Sequence, residues 1–223
     1  MEIKVLNLIP RHCRQLQSLC LADIHLGPNV LKLDPYWNLR VLIITSYNSM
    51  GTMPWRDDDL VWMTRELPHL ERFYAVLDKP LGVEDKWLGP MFTLQALVNL
   101  MEGCSKLEHI FMEFDPTEWF QLEYISRREK GHVVCNDSVR HLSVCNSPAT
   151  SPERLAVILS KLLPSLEVIT AEANSEHVSS WKDVAACHTN SPVFRSQTGD
   201  GIPRIRGTYY TGMTLCTLES LGL

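Results

Sequence analysis

The sequence predicts an α/β fold, a right-handed solenoid in which short parallel strands alternate with helices. Three observations predict it: a short apolar pattern recurs six times, amphipathic segments of helical period fill the intervals, and the composition supplies ample core. Of 223 residues, 45% are hydrophobic, 21% charged and 8% aromatic, which excludes the disordered, collagen-like and disulfide-scaffold classes. Pro and Gly are scattered along the chain rather than clustered, so no low-complexity linker marks a boundary and one domain is expected.

The repeated pattern is a Leu or Val, two variable residues, an apolar residue, one variable residue, then a small or apolar residue. Its copies are Leu16-Leu19-Leu21, Leu39-Leu42-Ile44, Leu70-Phe73-Ala75, Leu107-Ile110-Met112, Val139-Leu142-Val144 and Leu166-Ile169-Ala171. Cys13, Leu67, Cys104 and Leu163 stand three residues upstream of four of them. The first positions are 23, 31, 37, 32 and 27 residues apart, overlapping and exceeding the roughly 20–29 of leucine-rich repeats. The expected architecture is a leucine-rich-repeat horseshoe of about six irregular strand–helix units, each covering its neighbour's apolar edge.

The elements follow in order. Met1 to Ile9 reads as the end of a helix. Asp57 to Leu67 opens with acidic residues, favourable at a helix N-terminus, and places Leu60, Met63, Thr64 and Leu67 on one face before Pro68 ends it. Between Met91 and Cys104, Leu94, Leu97, Val98 and Met101 follow helical spacing, and Gly103 sits where a helix closes. Thr150-Ser151-Pro152-Glu153 offers Thr150 as a capping residue with Glu153 three residues on, followed by a stripe of Leu155, Ile158, Leu159 and Leu162. A fourth helix over 176–187 carries Val178, Trp181, Val184 and Ala185. The solenoid is thus expected over residues 1–189. Residues 190–223 break the pattern and are expected to form a C-terminal cap or a partly disordered tail, with a short strand around Ile205 to Thr211.

Strand periodicity assigns a surface. The recurring apolar residues point inward, and the residues between them line the concave face. The outward rows are Ser18, Val41, Arg72, His109, His141 and Val168; then Cys20, Ile43, Tyr74, Phe111, Ser143 and Thr170; then Ala22, Thr45, Val76, Glu113, Cys145 and Glu172. Arg72, Tyr74, His109, Phe111, Glu113 and His141 mix aromatic area with charge, as interface centres do, and are the candidate partner-binding residues. The alternative is that Tyr74 and Phe111 are tucked beneath the long loops that follow their strands.

Other chemistries find little support. A net charge of −5, from 21 basic and 26 acidic side chains, argues against nucleic acid. The basic groups Arg127-Arg128-Lys130 and Arg204-Arg206 are short. The N-terminal residues lack the features of a signal peptide, and no apolar run approaches the ~20 residues of a membrane span, so an intracellular chain, cytoplasmic or nuclear, is expected. Seven cysteines without a C-x-x-C read as reduced thiols, and the Asn136-Asp137-Ser138 sequon carries little meaning in such a chain. No metal or cofactor is expected. Asp57-Asp58-Asp59 suits a helix start rather than calcium, and no phosphate loop, G-x-S-x-G or H-E-x-x-H occurs. The enzymatic alternative is thiol and imidazole chemistry around Cys145 and His141, four residues apart and on one face of a strand. Trp37 and Trp181 read as core, while Trp55, Trp87 and Trp119 lie in insertions that either fold back over the solenoid edge or form a binding lip.

Cys-x-x-Leu-x-x-Leu-x-Leu over 13–21, Leu-Pro-x-Leu-Glu-x-Phe over 67–73, Cys-Ser-Lys-Leu-Glu-His-Ile over 104–110 and Leu-Pro-Ser-Leu-Glu-Val-Ile over 163–169 resemble the divergent leucine-rich repeats of fungal F-box proteins. The resemblance covers about residues 1–172. It implies a repeat region that selects the substrate of a ubiquitin ligase, joined in that family to an F-box that docks a Skp-type adaptor. About a dozen residues precede the first repeat, so the adaptor contact is expected only if an F-box exists upstream. The expectation is a monomeric, non-catalytic protein-interaction scaffold, the substrate-recognition part of an F-box ligase subunit. The alternatives are the thiol enzyme above or a truncated product without function.

Overall fold

Every copy of the repeated pattern forms one strand, and each strand pairs in parallel with that of the next copy. The computed structural model describes residues 15–22, 38–46, 57–77, 92–117, 134–190 and 192–197. Within them run β1 (Ser18–Ala22), β2 (Val41–Ser46), α1 (Asp57–Glu66), β3 (Arg72–Leu77), β4 (Phe92–Thr93), α2 (Leu94–Gly103), β5 (His109–Met112), β6 (Phe114–Asp115), β7 (His141–Cys145), α3 (Pro152–Leu162), β8 (Val168–Glu172), α4 (Val178–Cys187) and β9 (Val193–Gln197). The fold is α/β: one open, parallel, seven-stranded sheet in the order β1-β2-β3-β5-β7-β8-β9, with β4 and β6 forming a separate two-stranded ladder. Strands are added strictly in chain order.

The helices cover one face of this sheet. Leu42, Ile44, Phe73, Ala75, Ile110, Met112, Leu142, Val144, Ile169 and Ala171 all point into one core, which they share with Leu60 and Met63 of α1, Leu97 and Met101 of α2, Leu155 and Leu159 of α3 and Trp181 of α4. α1 packs on α2, and α3 on α4. The leading residues of the copies, Leu39, Leu70, Leu107, Val139 and Leu166, are also buried there. Shortening one such leucine to alanine costs about 2–5 kcal/mol.

Two sets of backbone hydrogen bonds recur along the sheet, one joining successive copies and one closing the turn within a copy. The carbonyls of Gln17, Arg40, Glu71, Glu108 and Arg140 each accept two backbone N–H groups from the copy that follows, at 2.8–3.1 Å. One turn earlier, the carbonyls of Leu67, Cys104 and Leu163 accept from Leu70, Leu107 and Leu166, each at 3.1 Å. The same offset in the fifth copy is Asn136. Its Nδ2 donates to the Cys104 carbonyl at 2.9 Å, and its Oδ1 accepts from Ser138 N–H at 2.9 Å. The asparagine of the sequon is thus a buried structural group.

The helix ends differ from the sequence expectation in three places. Gly103 closes α2, but its lack of a side chain serves packing: a Cβ there would lie 2.3 Å from Thr64 Cβ on α1. Asp57 does more than favour a helix start. Its carboxylate accepts from Thr93 N–H at 2.9 Å and from the Thr93 hydroxyl, holding the N-cap of α2. In α3 the capping residue is Ser151 rather than Thr150, with no side-chain cap bond and Pro152 at the first turn, so no capping box forms. Ile158 is half-buried while Ala156 joins the buried stripe.

β9 extends the sheet beyond residue 189. The expected first helix over 1–9, Cys13, Trp37, Trp55, Trp87, Trp119, both basic groups and the strand expected around 205–211 lie outside the described residues.

Candidate functional site

The helices bury one face of the sheet, and the alternation of side chains along each strand sends the remaining residues to the other. Register makes these residues neighbours. Ser18–Val41–Arg72–His109–His141–Val168 form one row across six strands, and Cys20–Ile43–Tyr74–Phe111–Ser143–Thr170 form the next, as alignment of the copies predicts. In the second row Cys20, Ile43 and Thr170 are buried, while Tyr74, Phe111 and Ser143 between them are half-buried. The reachable centre of the face is therefore a grid of Arg72, His109 and His141 over Tyr74, Phe111 and Ser143.

Contacts within the grid run between adjacent strands. The His109 and His141 rings stack with centroids 4.4 Å apart and planes 6° from parallel. The Tyr74 and Phe111 rings lie 6.1 Å apart at 34°. Burial, the adjacent His141 imidazole and the Arg72 guanidinium lower the pKa of His109, with Glu108 acting weakly the other way. Burial raises that of Tyr74 against the pull of Arg72. His141 Nδ1 is enclosed and makes no hydrogen bond among the described residues.

The third row departs from the expected register. Ala22, Thr45 and Val76 pair in line. β5 ends at Met112, however, and Glu113 lies past it, buried. Glu113 thus stands apart from the other five candidate residues. Between β7 and β8 the register shifts, so that Cys145 pairs with Ala171 rather than Glu172. Its φ of 50° is left-handed, the backbone conformation that accommodates a bulge here. Burial, and after it the nearby Glu113 and Glu172 carboxylates, push the pKa of the Cys145 thiol well up, against a hydrogen bond with Ser143. The residue is half-buried.

These facts bear on thiol chemistry. With the bulge, Cys145 pairs three positions of β8 beyond the partner of His141, about 10 Å along the sheet, whereas a general base acts within about 3 Å of the proton it takes. A raised thiol pKa disfavours the thiolate nucleophile. No group of three or more His, Cys, Asp or Glu side chains able to hold a metal ion occurs among the described residues. No helix among them is long and apolar enough to cross a membrane.

Sequence reasoning missed Arg195, which β9 brings exposed into the second row beside Thr170. Ser191 and Ser196 stand where the repeated pattern carries apolar residues, so the only signal was a Val-Phe pair following a helix. Compared with known proteins, the chain matches no family model and no curated protein sequence.

Proposed function

We propose that this chain is a non-catalytic leucine-rich-repeat solenoid that recognises another protein on its open sheet face, through Arg72, Tyr74, His109, Phe111 and His141 with Glu113 at the margin. The observation that carries the reading is the half-buried grid of cation, imidazole and aromatic side chains on the face that the helices leave uncovered. Strands added in chain order, with a helix in most of the intervals between them, support the repeat architecture. Aromatic and arginine side chains in a partly desolvated cluster are the usual anchors of protein interfaces.

The resemblance to fungal F-box repeats extends the proposal: the bound protein is a substrate presented for ubiquitination. The distance between His141 and Cys145, and the raised thiol pKa, weigh against the enzymatic alternative.

Partner recovery from native extract tests the proposal. Phe111→Ala and Arg72→Ala are expected to leave the thermal transition in place and to abolish recovery of the protein that co-purifies with the unaltered chain. Equal recovery by both variants rejects this face.

A further inference from the structure

We propose that the occupant of the open face is an extended acidic segment of a partner protein, carrying two carboxylates at alternate positions that engage Arg72 and the His109–His141 pair, with an apolar side chain against Tyr74 and Phe111. The inference rests on the open face being a docking surface, and it names what docks.

Charge complementarity carries it. The arginines at the strand starts are already paired: Arg40 Nη1 lies 2.8 Å from Glu71, and Arg140 Nε lies 3.7 Å from Glu167. Arg72, one residue further on and half-buried on the open face, forms no ion pair among the described residues. Beside it in register stand two imidazoles, so the row gathers one fixed cation and two groups that become cationic on protonation. The chain as a whole is acidic, which makes this row a local exception. A guanidinium that is partly desolvated and uncommitted is suited to a bidentate carboxylate.

The spacing sets the form of the ligand. Neighbouring strands lie about 4.8 Å apart, so Arg72 and the midpoint of the imidazole pair are about 7 Å apart across the sheet, close to the separation of alternate side chains in an extended chain. An acidic–x–acidic segment crossing the strands thus places one carboxylate on each. The aromatic pair lies about 7 Å away along the strands, two residues further on. A flanking apolar side chain of the segment can reach it.

The same geometry makes binding depend on pH. Among the described residues, the groups facing the imidazoles are Arg72 from β3, Tyr74 in the next row, Glu108 preceding His109, and the uncharged Val168 on the β8 side. Glu113 and Glu172 lie at the far end beside Cys145. In the free protein, burial first, then the stacked His141 ring and Arg72, keep His109 neutral to lower pH than usual. A docked carboxylate supplies the opposite charge and favours the imidazolium, so binding takes up a proton and tightens as pH falls.

The experiment selects a random twelve-residue peptide display library against the full chain at pH 6, then measures one enriched peptide by fluorescence polarisation. Enrichment of Asp/Glu-x-Asp/Glu sequences is expected, with binding about tenfold tighter at pH 5.5 than at 7.5. Arg72→Gln is expected to weaken binding about tenfold, the loss of one charge-assisted pair, while Arg72→Lys retains part of it and His109→Gln flattens the pH dependence. Thermal melts check that each variant folds. Neutral or basic enriched peptides that survive Arg72→Gln but are lost in Phe111→Ala overturn the acidic ligand and leave the docking face standing. No enrichment beyond a Tyr74→Ala/Phe111→Ala control overturns both. Acidic peptides that bind equally at both pH values overturn the part assigned to the histidines.

Discussion

Replacing Gly103 by alanine tests whether the helical layer is packed as described. At an unconstrained helix position, Gly→Ala stabilises by up to about 1 kcal/mol, because alanine is the better helix former. Here the added Cβ would lie 2.3 Å from Thr64 Cβ, 2.5 Å from Thr64 Oγ1 and 3.1 Å from the Thr64 carbonyl carbon. Carbon atoms in contact prefer about 3.5–4.0 Å, so α1 and α2 must separate by more than an ångström locally. They are not free to do so. Asp57 at the start of α1 holds the N-cap of α2 through Thr93, and Asn99 Nδ2 donates to the Asp57 carbonyl at 3.2 Å. Overpacking of this kind costs about 1–3 kcal/mol. Urea denaturation is expected to show a lower midpoint at unchanged slope. Thr64→Gly removes the opposing Cβ, so the double variant should lose less than the sum of the singles. A Gly103→Ala chain as stable as the parent, or more so, would refute the close approach of α1 to α2.

Three further outcomes follow from buried polar groups. Iodoacetamide at pH 8 should modify the exposed Cys135 and Cys187 in the native chain before Cys145 and Cys104, whose thiol is pushed up to about 12. Early labelling of Cys145, read by mass spectrometry, would revive the thiol chemistry. Asn136→Ala leaves the Cys104 carbonyl without its side-chain donor and Ser138 N–H without its acceptor, and is expected to cost about 1–3 kcal/mol in denaturation; a neutral change would mean that these two hydrogen bonds contribute nothing. His188 is buried and accepts from Asn190 N–H through Nδ1 at 3.2 Å, and burial lowers its pKa from 6.5 despite a hydrogen bond with the Leu159 backbone. The unfolded chain therefore binds more protons than the folded one below about pH 6.5, so stability falls from neutral pH towards pH 5. His188→Gln should flatten part of that decline, and an unaltered slope would contradict it.

The sheet was legible in the sequence because its strands repeat. Aligning the copies at Leu39, Leu70, Leu107, Val139 and Leu166 fixes the register as well as the strands, and so brings Arg72, His109 and His141 into one row. Departures came where tertiary contacts override the local pattern. The bulge at Cys145 shifts one row, and no residue type announces it. The sequence leading into and through β9 carries Ser191 and Ser196 at the offsets where the other copies have apolar residues. Gly103 reads as a helix stop, although the reason for it lies on another helix. Asn136 occupied the offset of Leu67, Cys104 and Leu163 in plain view, but a polar residue at an otherwise apolar offset reads as an exception until its hydrogen bonds are seen.

Site-specific photocrosslinking tests the central claim most directly. A benzoylphenylalanine at Ser143, half-buried within the grid beside Phe111, is compared in cells with one at Val157, exposed on α3 on the helical side of the sheet. Recognition through the open face predicts a discrete protein adduct at position 143 that disappears when Arg72 is changed to Gln, and no such adduct at 157. An adduct at 157 with none at 143 would contradict the account.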